Sequence, residues 1–406
     1  MDAFDGFVKE YTGISVDKFV ERNFRSVAFF LSHCHLDHMA GLATESFENF
    51  LKRSANVSIY CSEVTAELLR SNSRLAPSRT VLSRLISLPE YFPSNINILN
   101  GDKKGTVSVT LIPAGHCLGS VMFLFDGDKG KVLYTGDFRY YADQIEKCEV
   151  LLSLSGTLTA LYLDTTFCDP YSRTFPKREQ CIRGAVRQIK EWTLNTNAVI
   201  CLDCRMEYGY EPFFVALHQE LGEKIHVSSK KYSLYRGLPE ILDALTLDGD
   251  STRLHLCAPG KCIRTQRKTD RELCTIKLCA QTFVVRKRCG QLYIANSRLS
   301  YSYCYSMHSS LDEIQKFVDF LKPDSIVPCA VPHSATVHTI LGYLKTSDIT
   351  EAEPVNIPKI PFQGPTFSLN DGSKNADIER KDCIEEEMLS FEDEVVLPRR
   401  KRMKNS

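Results

Sequence analysis

The chain has 406 residues, 43% of them hydrophobic, which suits two cores or one domain carrying a large insertion. Lys plus Arg and Asp plus Glu number 50 each, so the formal net charge is zero and composition alone builds in no attraction to nucleic acid. No apolar run reaches 18 residues and no basic-then-apolar leader opens the chain, so neither a membrane span nor a secretory signal is expected, and the 16 cysteines read as reduced thiols, some available as metal ligands.

The zero sum hides an uneven distribution. Residues 251–300 hold 11 Lys or Arg against 2 Asp or Glu, residues 371–395 hold 10 acidic and 3 basic residues, and Arg399-Arg400-Lys401-Arg402 with Lys404 close the sequence.

In chain order, Ile14 to Phe19 is a short alternating segment that carries Asp17. The apolar run Val27 to Leu31 reads as a buried strand, and Ser32-His33-Cys34-His35-Leu36-Asp37-His38 follows at its end. At that spacing His33 and His35 share one side and can grip one ion. Asp37 and His38, on a bend expected to lead into a helix, can face a neighbouring ion, so H-x-H-x-D-H reads as a two-metal signature. Residues 57–61 predict a strand and Ser62 to Arg70 a helix capped by Ser62. Val107 to Pro113 runs into Ala114-Gly115-His116-Cys117-Leu118-Gly119-Ser120, whose glycines permit a tight turn, and Val121 to Phe125 is the next strand.

Lys131 to Thr135 ends in Gly136-Asp137, and Leu161 to Leu163 ends in Asp164-Thr165-Thr166, again carboxylates at strand ends. Lys177 to Trp192 predicts a helix, Ala198 to Leu202 a buried strand, and Tyr208-Gly209-Tyr210-Glu211 the opening of another helix. Residues 226–304 read as strand-poor, basic and cysteine-rich until Gln291 to Ala295. Tyr303 to Ser310 then leads into a helix over Leu311 to Leu321, with Ser310 and Glu313 in capping-box register and His308 just before the helix start. Ser325 to Cys329 predicts a strand. Residues 351–406 lack periodicity and read as a disordered acidic and basic tail.

The ordered set Asp17, His33-x-His35-x-Asp37-His38, His116, Asp137, Asp164 and His308 resembles the β-CASP branch of the metallo-β-lactamase superfamily, over some 350 residues. The resemblance implies an α/β fold: an αββα sandwich over residues 1–166 and 305–350 with an inserted β-CASP α/β domain over 167–304. RNA-processing members carry a further metal-ligating histidine on the strand after the His308 motif. Cys329 stands about there instead, which resembles the DNA-processing, cross-link repair nucleases.

The resemblance implies one tight catalytic Zn2+ held by His33, His35, His116 and Asp137. A weaker second site for Zn2+, Mg2+ or Mn2+ would use Asp37, His38 and the shared Asp137. Asp17, Asp37, Asp164 and His308 are assigned catalytic work, Asp17 by orienting an imidazole and the Asp164–His308 pair beside the phosphate. A structural Zn2+ in the insert is assigned to His226, His255, Cys257 and Cys274, with Cys262 and Cys279 as spare candidates. Arg264, Arg267, Lys268, Arg271, Arg286, Lys287 and Arg288 suit contact with a phosphate backbone, or form a solvated charged face.

The implied activity is hydrolysis of DNA phosphodiesters to 5′-phosphate ends, by a monomer acting on ends, hairpins and overhangs in double-strand break repair by end joining, with end-joining repair proteins as partners. The basic run at 399–404 fits a nuclear import signal. The rival readings are an RNA endonuclease of the same superfamily, a small-molecule hydrolase of thioesters or lactams, and an inactive scaffold.

Overall fold

Four short strands alternate with helices at the start of the chain: β1 (Ile14–Val16), β2 (Ala28–Phe30), β3 (Ser58–Ser62) and β4 (Leu85–Leu88), all parallel and in sequential order. The coordinates are those of a computed structural model, which describes residues 4–71, 77–100, 103–195, 198–256, 272–332 and 335–345. A second sheet is built from the antiparallel run β5 (Ser94–Asn100), β6 (Lys103–Pro113), β7 (Val121–Gly127) and β8 (Gly130–Tyr134), extended in parallel by β9 (Leu158–Leu163).

Alternation along β2 explains how these sheets stack. Ala28 and Phe30 turn toward the second sheet, where Phe30 meets Phe123 and Phe125 with ring centroids 5.1 Å apart in each case. Phe29 and Leu31 turn the other way, onto the helices Glu45–Arg53 and Glu63–Ser71, and Phe47 sets its edge against Phe29 at 5.3 Å. Fully burying each such side chain stabilises the fold by about 1.5–3 kcal/mol. The second sheet repeats the division. Val121, Phe123 and Phe125 face the inter-sheet core, while Met122 and Leu124 face Phe317 and Leu321 of the helix Leu311–Leu321. Two sheets covered by helices on both outer faces form the expected αββα sandwich.

A third sheet draws all its strands from residues 199–303: β10 (Val199–Asp203), β11 (Ile225–His226), β12 (Leu245–Thr246), β13 (Leu254–His255), β14 (Leu273–Leu278), β15 (Tyr293–Ser297) and β16 (Ser300–Tyr303). Its order is β12-β11-β13-β10-β14-β16-β15, parallel except for the β15–β16 hairpin. After it the chain returns to the sandwich through the helix Leu311–Leu321 and β17 (Ile326–Pro328), which adds to β9 in parallel. Ser310 caps that helix, its Oγ accepting from Glu313 N at 3.4 Å while its own N–H donates to Glu313 Oε2 at 2.8 Å.

Two sequence expectations need correction. Residues 226–304 are not strand-poor. β14 buries Cys274, Ile276 and Leu278 in alternation, a pattern hidden because Cys274 reads as a ligand when it packs as a small hydrophobe. The bend after His35 also does not enter a helix directly. Residues 36–39 form turns, with His38 N–H donating to the His35 carbonyl at 3.1 Å, and the first α-helix starts at Glu45. Among the described residues no helix is long and apolar enough to cross a membrane.

Candidate metal centre

Five strand ends converge on one cleft. Asp17 follows β1, His33 and His35 follow β2, His116 follows β6, Asp137 follows β8 and Asp164 follows β9, while His308 precedes the helix Leu311–Leu321. Leaving the ladder lets each side chain turn inward, and Gly115 makes one such exit possible. It sits at φ +66°, and a Cβ there would stand 2.4 Å from the Arg139 carbonyl oxygen. The cleft encloses about 190 Å³ and is lined by Asp17, His35, Asp37, His38, Asp137, Asp164, His308 and Cys329, together with Met206.

Outer partners set which ring nitrogen of each imidazole carries the proton. His35 Nε2 lies 3.3 Å from the Tyr208 carbonyl, and His116 Nδ1 lies 3.0 Å from the Met307 carbonyl. A carbonyl only accepts, so those nitrogens donate. His33 Nδ1 lies 2.9 Å from Ser32 Oγ, whose own proton goes to Asp17 Oδ2 at 2.6 Å, so this nitrogen donates too. The other nitrogens are bare lone pairs, and they meet: His33 Nε2 and His116 Nε2 stand 3.1 and 3.0 Å from His35 Nδ1.

All three rings are buried. Burial is the main cause that pushes His33 and His116 well below the ordinary imidazole range and lowers His35, so they are neutral and ligand-competent. Three converging lone pairs repel one another unless a cation sits among them. The donor set fits a divalent metal that accepts nitrogen and oxygen, such as zinc.

Asp137 completes this set and opens a second one. Its Oδ2 lies 3.7 Å from His33 Nε2 and 3.5 Å from His116 Nε2, and its Oδ1 lies 3.2 Å from His38 Nε2. Burial opposes its charge, but His38 and His308 outweigh that and hold the carboxyl well below the usual range. Ligand atoms of His33, His38 and Asp137 fall within 4.8 Å of one another, as do those of His116, Asp137 and His308, and those of His33, His35, His116 and Cys117. Asp37 stands further out, two-thirds exposed (67%), with Oδ2 3.7 Å from His38 Nε2.

Asp17 accepts from four donors: Ser32 N at 2.8 Å, Ser32 Oγ at 2.6 Å, Tyr134 Oη at 2.8 Å and His38 Nδ1 at 2.8 Å. Asp164 Oδ2 lies 2.8 Å from His308 Nδ1, and its Oδ1 accepts from Thr166 N at 2.9 Å and Thr166 Oγ1 at 2.6 Å. Burial disfavours charge on His308, yet Asp164 and then Asp137 outweigh it and lift its pKa to about 9. Its Nε2 points back toward the centre, 3.9 Å from Asp137 Oδ2.

Several residues that hold this centre escaped the sequence reading. Ser32 and Tyr134 flank motifs already noted, so their hydroxyls were available signals. The carbonyls of Tyr208 and Met307 were not, because a backbone acceptor has no residue type. Arg139, fully buried, forks onto Glu313 at 3.1 and 3.3 Å and also donates to the Ser306 carbonyl at 3.0 Å, tying the Asp137 loop to the helix after His308. Arg178 donates to the carbonyls of Gly115 and His116 and so clamps the His116 loop.

In the third sheet, His226 and His255 come together, with Nδ1 atoms 3.1 Å apart on neighbouring strands. Cys274 does not join them, which overturns that part of the expected ligand set. It is in register with Ile200 and Leu254 and enters the apolar core, whereas His255 is in register with Cys201 and His226 on the opposite face. Cys279 begins the turn after β14, its N–H donating to the Tyr303 carbonyl at 3.0 Å. Cys257, Cys262, Arg264, Arg267, Lys268, Arg271 and the tail lie outside the described residues. Arg286, Lys287 and Arg288 are exposed after the short helix Gln281–Val285, and Lys287 Nζ sits 4.8 Å over the Tyr171 ring.

Comparison with known proteins finds family matches and relatives for most of the chain. A family described as DNA repair metallo-beta-lactamase matches residues 239–334, and the beta-lactamase superfamily domain matches residues 20–183. Protein artemis of Mus musculus is 38% identical over 85% of this chain and 50% of its own length, and that of Homo sapiens 35% identical over 99% and 58%. The 5′ exonuclease Apollo of Rattus norvegicus is 31% identical over 80% of this chain and 54% of its own length. The chain thus spans little more than half the length of these relatives. With one family signature on the sandwich and the other running from the third sheet through His308 to the return strand, the chain belongs to the Artemis-like, β-CASP branch of the metallo-β-lactamase superfamily.

Proposed function

We propose that the chain is a metal-dependent DNA nuclease that hydrolyses phosphodiester bonds to leave 5′-phosphate ends during double-strand break repair by end joining. The observation that carries this reading is the convergence of three neutral imidazole lone pairs with Asp137, beside a His308–Asp164 pair that holds a proton at the same cleft. The matched family's description supports DNA as the substrate, and the name of Apollo supports a 5′ polarity.

His33, His35, His116 and Asp137 would hold a tight zinc ion, and His38, Asp37 and the shared Asp137 a weaker second ion. Bound there, such ions lower the pKa of water and neutralise charge on the phosphoryl oxygens. The protein's own groups do the rest. Asp17 fixes the tautomer and tilt of His38, leaving Nε2 to face Asp137. His308, kept protonated by Asp164, binds a phosphoryl oxygen or gives its Nε2 proton to the departing 3′ oxygen. Arg286, Lys287 and Arg288, with the basic residues of 264–271, would meet the DNA backbone, and salt would weaken binding accordingly.

The working unit in this reading is a monomer with its catalytic domain over 1–166 and 305–350 and its insert over 167–304. The tail at 351–406 carries a nuclear import run. Once Cys274 is set aside, a structural zinc in the insert would fall to His226, His255, Cys257 and Cys262. The test is purified protein with end-labelled single-stranded, hairpin and overhang DNA, beside RNA. Cleavage of DNA that disappears in His33→Ala is expected, and undiminished cleavage by that variant would sink the assignment.

A further inference from the structure

Tyr208, whose carbonyl anchors His35, does not belong to the sandwich. It lies between β10 and the helix Glu211–Leu221, in the module built on the third sheet. One of the three imidazoles is therefore oriented by a backbone group that a different module must hold still.

What holds it is a buried polar network centred on Glu211, a carboxylate only 3% exposed at the start of that helix. Glu211 Oε2 accepts from Gly209 N at 2.7 Å, and Oε1 accepts from Tyr235 Oη at 2.7 Å. Tyr235 Oη also lies 3.2 Å from the Glu207 carbonyl, to which Lys231 Nζ donates. The ammonium stands 5.4 Å over the Tyr235 ring and 5.9 Å over the Tyr208 ring. Both sides of the Tyr208 peptide are thus gripped, at Glu207 and at Gly209.

Gly209 permits the approach. Its φ is +107°, and a Cβ there would meet Met307 Sδ at 2.4 Å, while Met307 is the residue whose carbonyl anchors His116. Tyr305 Oη donates to the Gly209 carbonyl at 2.7 Å. The turn at 208–209 and the strand exit at 305–307 therefore brace each other, and between them they present the carbonyl acceptors of two ligand imidazoles.

We propose that Glu211, working with Tyr235, is a positioning residue for the metal centre: it fixes the Tyr208 carbonyl that sets the tautomer of His35, so the third-sheet module completes the outer layer of the catalytic ion's site. The inference rests on the three-histidine reading above. A carboxylate taken out of water at this depth needs donors on both oxygens, and here Oε2 is spent on the turn at Gly209 and Oε1 on the Tyr235 hydroxyl. Outer partners of ligating histidines typically change metal affinity about 10–100-fold.

The experiment compares wild type, His33→Ala, Glu211→Ala and Tyr235→Phe as the full chain. Zinc affinity is read by competition with a chromophoric chelator, and the d–d absorption is recorded after cobalt(II) substitution. Expected are a loss of zinc affinity of about tenfold or more in Glu211→Ala, a smaller loss in Tyr235→Phe, and an altered cobalt spectrum in both. Nuclease kcat should fall more than KM rises. If Glu211→Ala fails to fold, Tyr235→Phe decides, since it removes one hydroxyl and keeps the ring. Wild-type zinc affinity and cobalt spectrum in a folded Glu211→Ala or Tyr235→Phe would overturn the proposal while leaving the metal reading intact. Equal zinc binding in wild type and His33→Ala would overturn both.

Discussion

Asp17 Oδ2 stands 2.8 Å from His38 Nδ1, and the backbone of Asp17 adopts the left-handed conformation at φ 54° to bring it there. A non-glycine residue held in that region costs energy and persists only where its surroundings demand it. Here the demand is four donors around one buried carboxylate, which leaves the opposite nitrogen of His38 facing Asp137.

It follows that Asp17→Asn should weaken the second metal site selectively. Its amide accepts from fewer of those donors and loses the charge that steadies His38. A loss of about 10–100-fold in affinity for the second ion is expected, with the first ion retained. Metal titration of the variant checks this, and unchanged occupancy of both sites would count against it.

Removing a ligand of the tighter site separates activity from folding. His33→Ala and Asp137→Asn should each abolish nuclease activity with a nearly unchanged melting temperature. Chelation of the wild-type protein should also abolish activity, reversibly on adding zinc back. An active His33→Ala protein is the outcome that refutes it.

The His308–Asp164 pair should act on the chemical step rather than on metal retention. Asp164→Asn removes the charge that keeps His308 protonated, so kcat should fall by about 10²–10⁴ while metal content stays at the wild-type level. Elemental analysis alongside single-turnover kinetics distinguishes this from loss of the ion.

Arg139 and Glu313 predict a stability effect. The guanidinium is fully buried and forked onto the carboxylate, so Glu313→Gln leaves a buried charge poorly matched and also weakens the cap on the helix after Ser310. Breaking a fully buried pair costs about 3–5 kcal/mol, and because Glu313 is partly exposed the loss here should fall at or below the lower end of that range. Chemical denaturation should show it, and a variant as stable as wild type would mean that the pair contributes little.

The third sheet yields a contrast between two cysteines. Cys274→Ala should leave zinc content unchanged, because its side chain enters the apolar core, whereas Cys262→Ala should lose one zinc together with thermal stability. Equal zinc in wild type and the Cys262 variant would remove the structural ion from the proposal.

Local pattern was enough to show that five apolar runs end in His or Asp, that Ser310 and Glu313 start a helix, and that the ligand-type residues of H-x-H-x-D-H lie within reach of one another. Strand period and cap chemistry act over a few residues, so they are written into the chain itself. That Cys274 faces away from His226 and His255 was not legible, because the face on which it lies depends on the register of β14 against β10, a pairing between residues more than 70 positions apart. The two-residue strands β11 to β13 were invisible for a related reason: so short an apolar run becomes a strand only when a partner supplies its hydrogen bonds. The outer carbonyls of Tyr208 and Met307 were the least legible of all. Every residue carries such a group, and only the folding of the third-sheet module against the sandwich decides that these two meet His35 and His116.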